Sequence, residues 1–234
     1  MTSEEKRRYS RQISVEEIGE SGQLRLLSSK VAIVGCGALG SMVAMQLAAA
    51  GVGTIVIADF DTIDISNLQR QFFFTTDEAG SYKADVLAVR MSAINPECKV
   101  EIVKRMIDRK LAYEIFRSCD FVIDATDNPA SKMMIEEVCD SLGKYCCVAG
   151  VSGFHGQVMT IRPGALKFGE VFSQDAESEF LPCSISGVVG PAAALCASIQ
   201  ASETIKFLTS SGQTLEDRLL TFDLLSDTFQ TIHL

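Results

Sequence analysis

The run 30-KVAIVGCGALGSMVAMQLAAAG-51 constrains the fold more than any other part of this chain. Lys30 to Val34 reads as a buried strand, 35-GCGALG-40 as a glycine-rich turn, and SMVAMQLAAAG as an apolar helix. A second β-branched run, 54-TIVIADFD-61, follows. Strand, turn, helix and strand make one βαβ unit with parallel strands and a right-handed crossover. Gly35, Gly37 and Gly40 stand as GxGxxG between strand and helix, and Asp59 closes the next strand about twenty residues on. In that context the glycines let a ligand approach the backbone, the helix N-terminus favours anionic phosphate, and the carboxylate accepts ribose hydroxyls. The competing use of such glycines is tight packing of strand against helix.

The pattern then repeats more loosely. Ala79 to Ile94 is helix-like, Lys99 to Lys104 strand-like, Asp108 to Arg117 helical, and Phe121 to Ala125 another buried strand. A doubly wound, Rossmann-like α/β sheet, mostly parallel and with helices on both faces, is predicted. From Lys144 the texture changes: 145-YCCVAGVSGFHGQVMTIRPG-164 holds two extended runs joined near Gly153 to Gly156, the pattern of an antiparallel ribbon. Residues 165 to 187 read as a mobile loop, Pro191 opens an alanine-rich helix to about Leu208, and 218–234 reads as a terminal hairpin turning near Ser226 and Asp227. The C-terminal part is therefore an antiparallel extension of the sheet. At 234 residues the chain suits a single domain.

Charge and cysteine usage narrow the partners. A formal net charge of -9 argues against a binder of phosphate backbones, so nucleic acid is not an expected partner. No apolar stretch nears the roughly 18 residues of a membrane span, and MTSEEKRRYSRQ has no signal-peptide core, so no membrane association and a cytoplasmic location are expected. The eight cysteines, at 36, 98, 119, 139, 146, 147, 183 and 196, contain no Cys-x-x-Cys pair. Neither a zinc ribbon nor a disulfide framework is predicted, and most of these thiols should be small buried hydrophobes.

The residues after the fingerprint decide the chemistry. Asp59 and Asp61 end the second strand, and 66-SNLQRQ-71 follows, with Lys83 at the start of the next helix. Asn67, Arg70 and Lys83 thus offer a carboxamide, a guanidinium and an ammonium near the nucleotide, a set that suits a triphosphate. A NAD-dependent oxidoreductase would share the fingerprint and Asp59, but no hydride-site acid, base or substrate domain is recognisable. A further strand ends in 124-DATDN-128, which places Asp127 and Asn128 at the carboxyl edge of the sheet. Asp127 is suited to hold Mg beside phosphate oxygens and waters, or else to cap a helix, while Asp124 is expected buried in the strand end. Cys183, in 182-PCSISGVVGP-191, is the best nucleophile candidate. His155 and His233 lack the spaced partners of a metal site or triad and are read as structural.

Together these landmarks resemble the ThiF/MoeB/HesA family of ubiquitin-activating-type adenylyltransferases, from Tyr9 to near the C-terminus. The matching text is 9-YSRQI-13, 33-IVGCGALG-40, 51-GVG-53, 58-ADFD-61, 66-SNLQRQ-71, Lys83, 94-INP-96, 126-TDN-128, 187-GVVGP-191 and 203-ETIKFL-208. The resemblance implies adenylation of the terminal Gly-Gly carboxylate of a small ubiquitin-like sulfur-carrier protein with Mg-ATP. It implies an N-terminal helical segment (1–29), a nucleotide-binding part (30–143), and a part for carrier binding and dimerisation (144–234). By motif match Asp59 would hold the ribose, Asn67, Arg70 and Lys83 the phosphates, and Asp127 would hold the metal or set the geometry of the attacking carboxylate. Arg11 would reach the nucleotide of the other subunit of a homodimer. Cys183 would take the carrier's acyl group in a thioester or acyl-persulfide link, with a sulfur donor of the cysteine-desulfurase type.

The stretches 75-TTDEAG-80, GFHGQVMTI and 187-GVVGP-191 lean toward ThiF, hence a ThiS-like carrier and thiamine-thiazole biosynthesis. A MoaD-like carrier in molybdopterin biosynthesis is the alternative, and the acidic charge and YSRQ start argue against a tRNA-modifying relative. The chain departs from the family pattern in one respect. The two Cys-x-x-Cys pairs that most bacterial relatives use for structural zinc are absent, the first from around 167-KFGEVF-172, and no zinc is expected.

Overall fold

The computed structural model describes residues 1–171 and 187–234. Parallel strands β1 (Lys30–Val34), β2 (Thr54–Ala58), β3 (Lys99–Val103), β4 (Phe121–Asp124) and β5 (Cys146–Ser152) form one half of a sheet. Antiparallel β6 (His155–Ile161), β7 (Arg218–Asp223) and β8 (Thr228–His233) extend it, giving the order β3-β2-β1-β4-β5-β6-β7-β8. The strand order reverses at β1, where Val34 sits beside Ala58 on one side and Asp124 on the other. A crevice at the carboxyl ends is the consequence of that reversal.

Nine α-helices occur among the described residues: α1 (Ser3–Arg8), α2 (Ser10–Ile13), α3 (Gly19–Ser28), α4 (Ala38–Ala50), α5 (Lys83–Ile94), α6 (Arg109–Phe116), α7 (Pro129–Ser141), α8 (Phe168–Val171) and α9 (Gly190–Thr209). Alternation along the strands divides the core. Val31, Ile33, Ile55 and Ile57 pack with Leu47 of α4, Leu87 of α5 and Ala197 of α9. Ala32, Val34 and Val56 face the opposite way, onto Phe116 of α6 and Ile135 of α7. Both faces are covered, which is why these strands read as continuous β-branched runs. None of the described helices is long and apolar enough to cross a membrane.

Three differences from the sequence reading have local causes. The helix expected from Ala79 starts at Lys83, because Tyr82 is extended, bridges Thr62, and follows a left-handed Gly80 at φ 86°. Part of the segment read as a loop, Phe168–Val171, is a helical turn whose Phe168 is buried. Helix α7 was not anticipated, since Lys132 and Glu136 interrupt its buried face beside Ile135, Val138 and Cys139. The antiparallel ribbon and the terminal hairpin lie where expected, and the β5–β6 turn is Gly153–Phe154.

The N-terminal motif docks at the end of α4 farthest from the crevice. Tyr9 is buried, and its hydroxyl accepts a hydrogen bond from Asn95 Nδ2 at 2.8 Å. Asn95 Nδ2 also donates to the Ala48 carbonyl, and Gln12 and Gln23 both donate to Ala50 O. Gly51 ends the helix in the left-handed region, at φ 90°, and a Cβ there would lie 2.7 Å from the Tyr9 ring. Only glycine meets both demands. The motif residues at 9–12, 51 and 95 are thus one packing unit.

Candidate active site

The three fingerprint glycines do different work. Gly35 has φ 94° and would place a Cβ 2.7 Å from Ala125 O, while a Cβ on Gly40 would lie 1.8 Å from Gly35 O. Both are required by chain packing. Gly37 is not: the nearest atom to its Cβ would be Gln71 Nε2, at an ordinary 3.5 Å. The space over Gly37 is therefore left for a ligand. Gly37 is also the N-cap of α4 and supplies no side-chain cap, so the first-turn N–H groups face the crevice as anion donors.

That crevice is a cleft of about 370 Å³ across the carboxyl ends of β1, β2, β4 and β5. Gly35, Gly37, Asp59, Asp61, Asn67, Arg70, Lys83, Asp127 and Asn128 all line it. One side is built on Asp59, whose carboxylate accepts hydrogen bonds from the N–H of Cys36 at 2.5 Å and of Asp61 at 2.7 Å. Burial pushes the Asp59 carboxyl above its usual range, against the pull of those two N–H groups and of Lys83. Asp61 in turn holds the buried Lys83, with Nζ to Oδ2 at 3.1 Å. The start of α5 is tied to the same loop, since Lys83 N donates to Asp61 O.

Arg70 donates from Nη1 to Ser66 O at 3.1 Å, which curls its guanidinium over the 66–71 turn. That turn abuts the start of α9, where a Cβ on Gly190 would meet Gln69 O at 3.1 Å. On the far side, Asp124 is fully buried and accepts from Thr126 N and Oγ1 at 2.9 and 2.6 Å. The cap of α7 is Asn128, whose Oδ1 accepts from Ser131 N at 2.8 Å. Asp127 is thereby spared the capping role; it is exposed in the cleft and has no hydrogen-bond or ion-pair partner among the described residues. A single free carboxylate facing an oxygen-rich ligand fits the donor set of a magnesium ion that keeps several waters.

Two candidates lie elsewhere. Arg11 is exposed on α2 and does not line the cleft of its own chain. Cys183 lies outside the described residues. The seven described cysteines are all buried, and burial pushes Cys98 and Cys119 up to about 11 and Cys196 up to about 12. Sequence reasoning missed Arg105, Met106, Ser131, Lys132, Gly150 and Val151, which also line the cleft. Lys132 was findable in principle: it lies one turn after Asn128, on the helix that the TDN motif opens.

Comparison with known proteins identifies the family. Residues 9–234 match the ThiF family. The chain is 37% identical to the SAMP-activating enzyme E1 of Haloferax volcanii over 226 residues, covering 96% of this chain and 84% of that protein. It is 36% identical over 231 residues to the sulfur carrier protein ThiS adenylyltransferase of Escherichia coli, covering 97% of this chain and 90% of the relative. The crystal structure of PaaA superposes with a TM-score of 0.84 at 25% identity, covering all of this chain and 74% of PaaA. Matched over residues 9–234 and more than 30% identical to these two relatives over most of their length, the chain belongs to the ThiF family of E1-like adenylyltransferases.

Proposed function

We propose that the chain adenylates the C-terminal Gly-Gly carboxylate of a small ubiquitin-like sulfur-carrier protein with Mg-ATP. The observation that carries this reading is the convergence of Arg70, Lys83 and Asp127 on one cleft that opens over Gly37 and the uncapped start of α4. A carboxylate oxygen of the carrier attacks the α-phosphorus, the bond to the bridging α–β oxygen breaks, and pyrophosphate leaves. Asp59 receives the ribose hydroxyls, and Asn67, Arg70 and Lys83 face the charge that develops on the leaving pyrophosphate. Bound at Asp127, a magnesium ion would neutralise phosphate oxygens.

The E. coli relative names ThiS as its substrate and the H. volcanii relative names SAMP. The 75-TTDEAG-80 and 187-GVVGP-191 stretches favour a ThiS-like carrier and the thiamine-thiazole route, with a MoaD-like carrier as the second reading. The anchoring of α2 far from its own cleft supports a homodimer in which Arg11 serves the partner's nucleotide. Cys183 is the residue that would accept the activated acyl group, ahead of a cysteine-desulfurase-type sulfur donor.

ATP–pyrophosphate exchange against purified ThiS-like, MoaD-like and SAMP-type carriers tests the proposal. Exchange is expected with at least one Gly-Gly-tailed carrier and with none truncated at the tail. Arg70→Ala or Asp127→Ala should lower it on the order of 10²-fold or more. Undiminished exchange in either variant would defeat these assignments. A covalent carrier adduct that Cys183→Ser abolishes tests the later step.

A further inference from the structure

Lys132 is 6% exposed, yet it borders the cleft. Its Nζ donates to Ala149 O at 2.8 Å and lies 3.6 Å from Asp124 Oδ1, and it sits 6.0 Å from the centre of the Phe168 ring. One ammonium thus joins the last residue of β4, the middle of β5, α7 and α8. It lies near two buried carboxyl groups, Asp124 and Glu136. Among the described residues Asp124 Oδ2 is buried without a hydrogen-bond partner, and the Glu136 carboxyl is buried near it. A buried ion pair adds little stability over two apolar residues of similar size, so stability is a weak reason for having the Lys132–Asp124 pair here.

We propose that Lys132 is a positioning residue for the carboxylate partner of the reaction, acting through the two strands it joins. This rests on the adenylation reading above. Asp59, Asp61 and Lys83 take the β2 side of the cleft and Asp127 faces the phosphates, so the nucleotide occupies that side, and the wall left for the incoming tail is Thr126 and Gly150–Val151. Asp124 lies two residues before Thr126 and Ala149 immediately before Gly150, and Lys132 contacts both of them. A tail held in extended form between the segments needs their separation set to within a fraction of an ångström, because misplacement of a reacting atom is costly in rate. Lys132 sets that separation without touching the nucleotide side.

Lys132→Met and Lys132→Arg, assayed with the carrier that supports the fastest exchange, test this. In Lys132→Met the KM for the carrier should rise about tenfold or more and kcat should fall, while the Kd for Mg-ATP, read by calorimetry, stays within about twofold. Lys132→Arg, which keeps the charge, should restore part of the loss. Unchanged carrier kinetics in Lys132→Met would overturn the proposal, and so would equal loss of Mg-ATP and carrier binding, the mark of a purely structural role. Should Lys132→Met fail to fold, Lys132→Arg decides: a raised carrier KM with intact Mg-ATP binding supports the role, and wild-type kinetics refutes it. A wild-type protein that exchanges with no carrier would instead retire the adenylation reading, and this inference with it.

Discussion

Tyr9 and Asn95, 86 residues apart in sequence, meet in a buried hydrogen bond of 2.8 Å at the base of α4. The bond explains two separate motifs at once. Asn95→Ala removes the donor to both Tyr9 Oη and Ala48 O and should cost about 1–3 kcal/mol. Urea unfolding is the measurement, and a change below about 0.5 kcal/mol would remove the bond from the list of fold determinants. Mg-ATP affinity of the folded variant should stay at the wild-type value, because the cleft is at the other end of the helix.

The glycines of the turn should separate into two classes. Gly40→Ala brings a Cβ to 1.8 Å from a backbone oxygen, so the variant should be severely destabilised or fail to accumulate. Gly37→Ala meets only a side-chain nitrogen at 3.5 Å and should fold normally, with weaker Mg-ATP binding. Thermal shift with and without nucleotide reads both effects. A Gly37→Ala protein that binds Mg-ATP like the wild type would place the phosphates away from this turn.

Glu136 gives stability a pH dependence of defined sign. Burial first, and then the Asp124 charge, push its carboxyl up to about 7, against the pull of Lys132. In the unfolded chain it ionises in the usual glutamate range, so between there and about pH 7 the folded protein holds the extra proton and loses stability as pH rises. The full penalty, on the order of 2–3 kcal/mol, is present above pH 7. Glu136→Gln should flatten this limb and gain stability relative to wild type at pH 8 but not at pH 4. Parallel pH profiles for the two proteins would contradict the burial argument.

If Arg11 serves the neighbouring subunit, two inactive variants should complement each other. After subunit exchange, an equal mixture of Arg11→Ala and Asp127→Ala should recover about a quarter of wild-type exchange, since half the dimers then hold one intact site. Arg11 acting within its own chain predicts no recovery.

Much of this architecture could be read from the residues alone, and the reasons for the exceptions are local. The β1–α4–β2 unit was legible because strands buried on both faces, a glycine turn and an apolar helix each have distinct signatures. Asp59, Arg70, Lys83 and Asp127 were found because a polar group at a strand end or a turn stands out against apolar neighbours, and all four line the cleft. Lys132 was hidden by the opposite circumstance. A lysine and a glutamate one turn apart read as a solvated helix face, whereas here both are buried. The helix that carries them went unrecognised for the same reason. Arg105 and Met106 were missed because what brings them to the cleft is the pairing of β3 beside β2, a long-range fact with no trace in their own neighbourhood.

Neighbouring strands β4 and β5 are gripped from both faces of the sheet. Lys132 reaches Ala149 O from α7, and from α9 the buried Gln200 Nε2 reaches Asp124 O at 2.9 Å and Cys147 O at 3.2 Å. Like a vice with two jaws, the pair leaves this edge little slack, so an arriving protein tail must adapt to the enzyme and not the reverse. Selectivity among carriers would then reside in the last residues of each tail, where a bulky side chain in place of glycine finds no yielding wall.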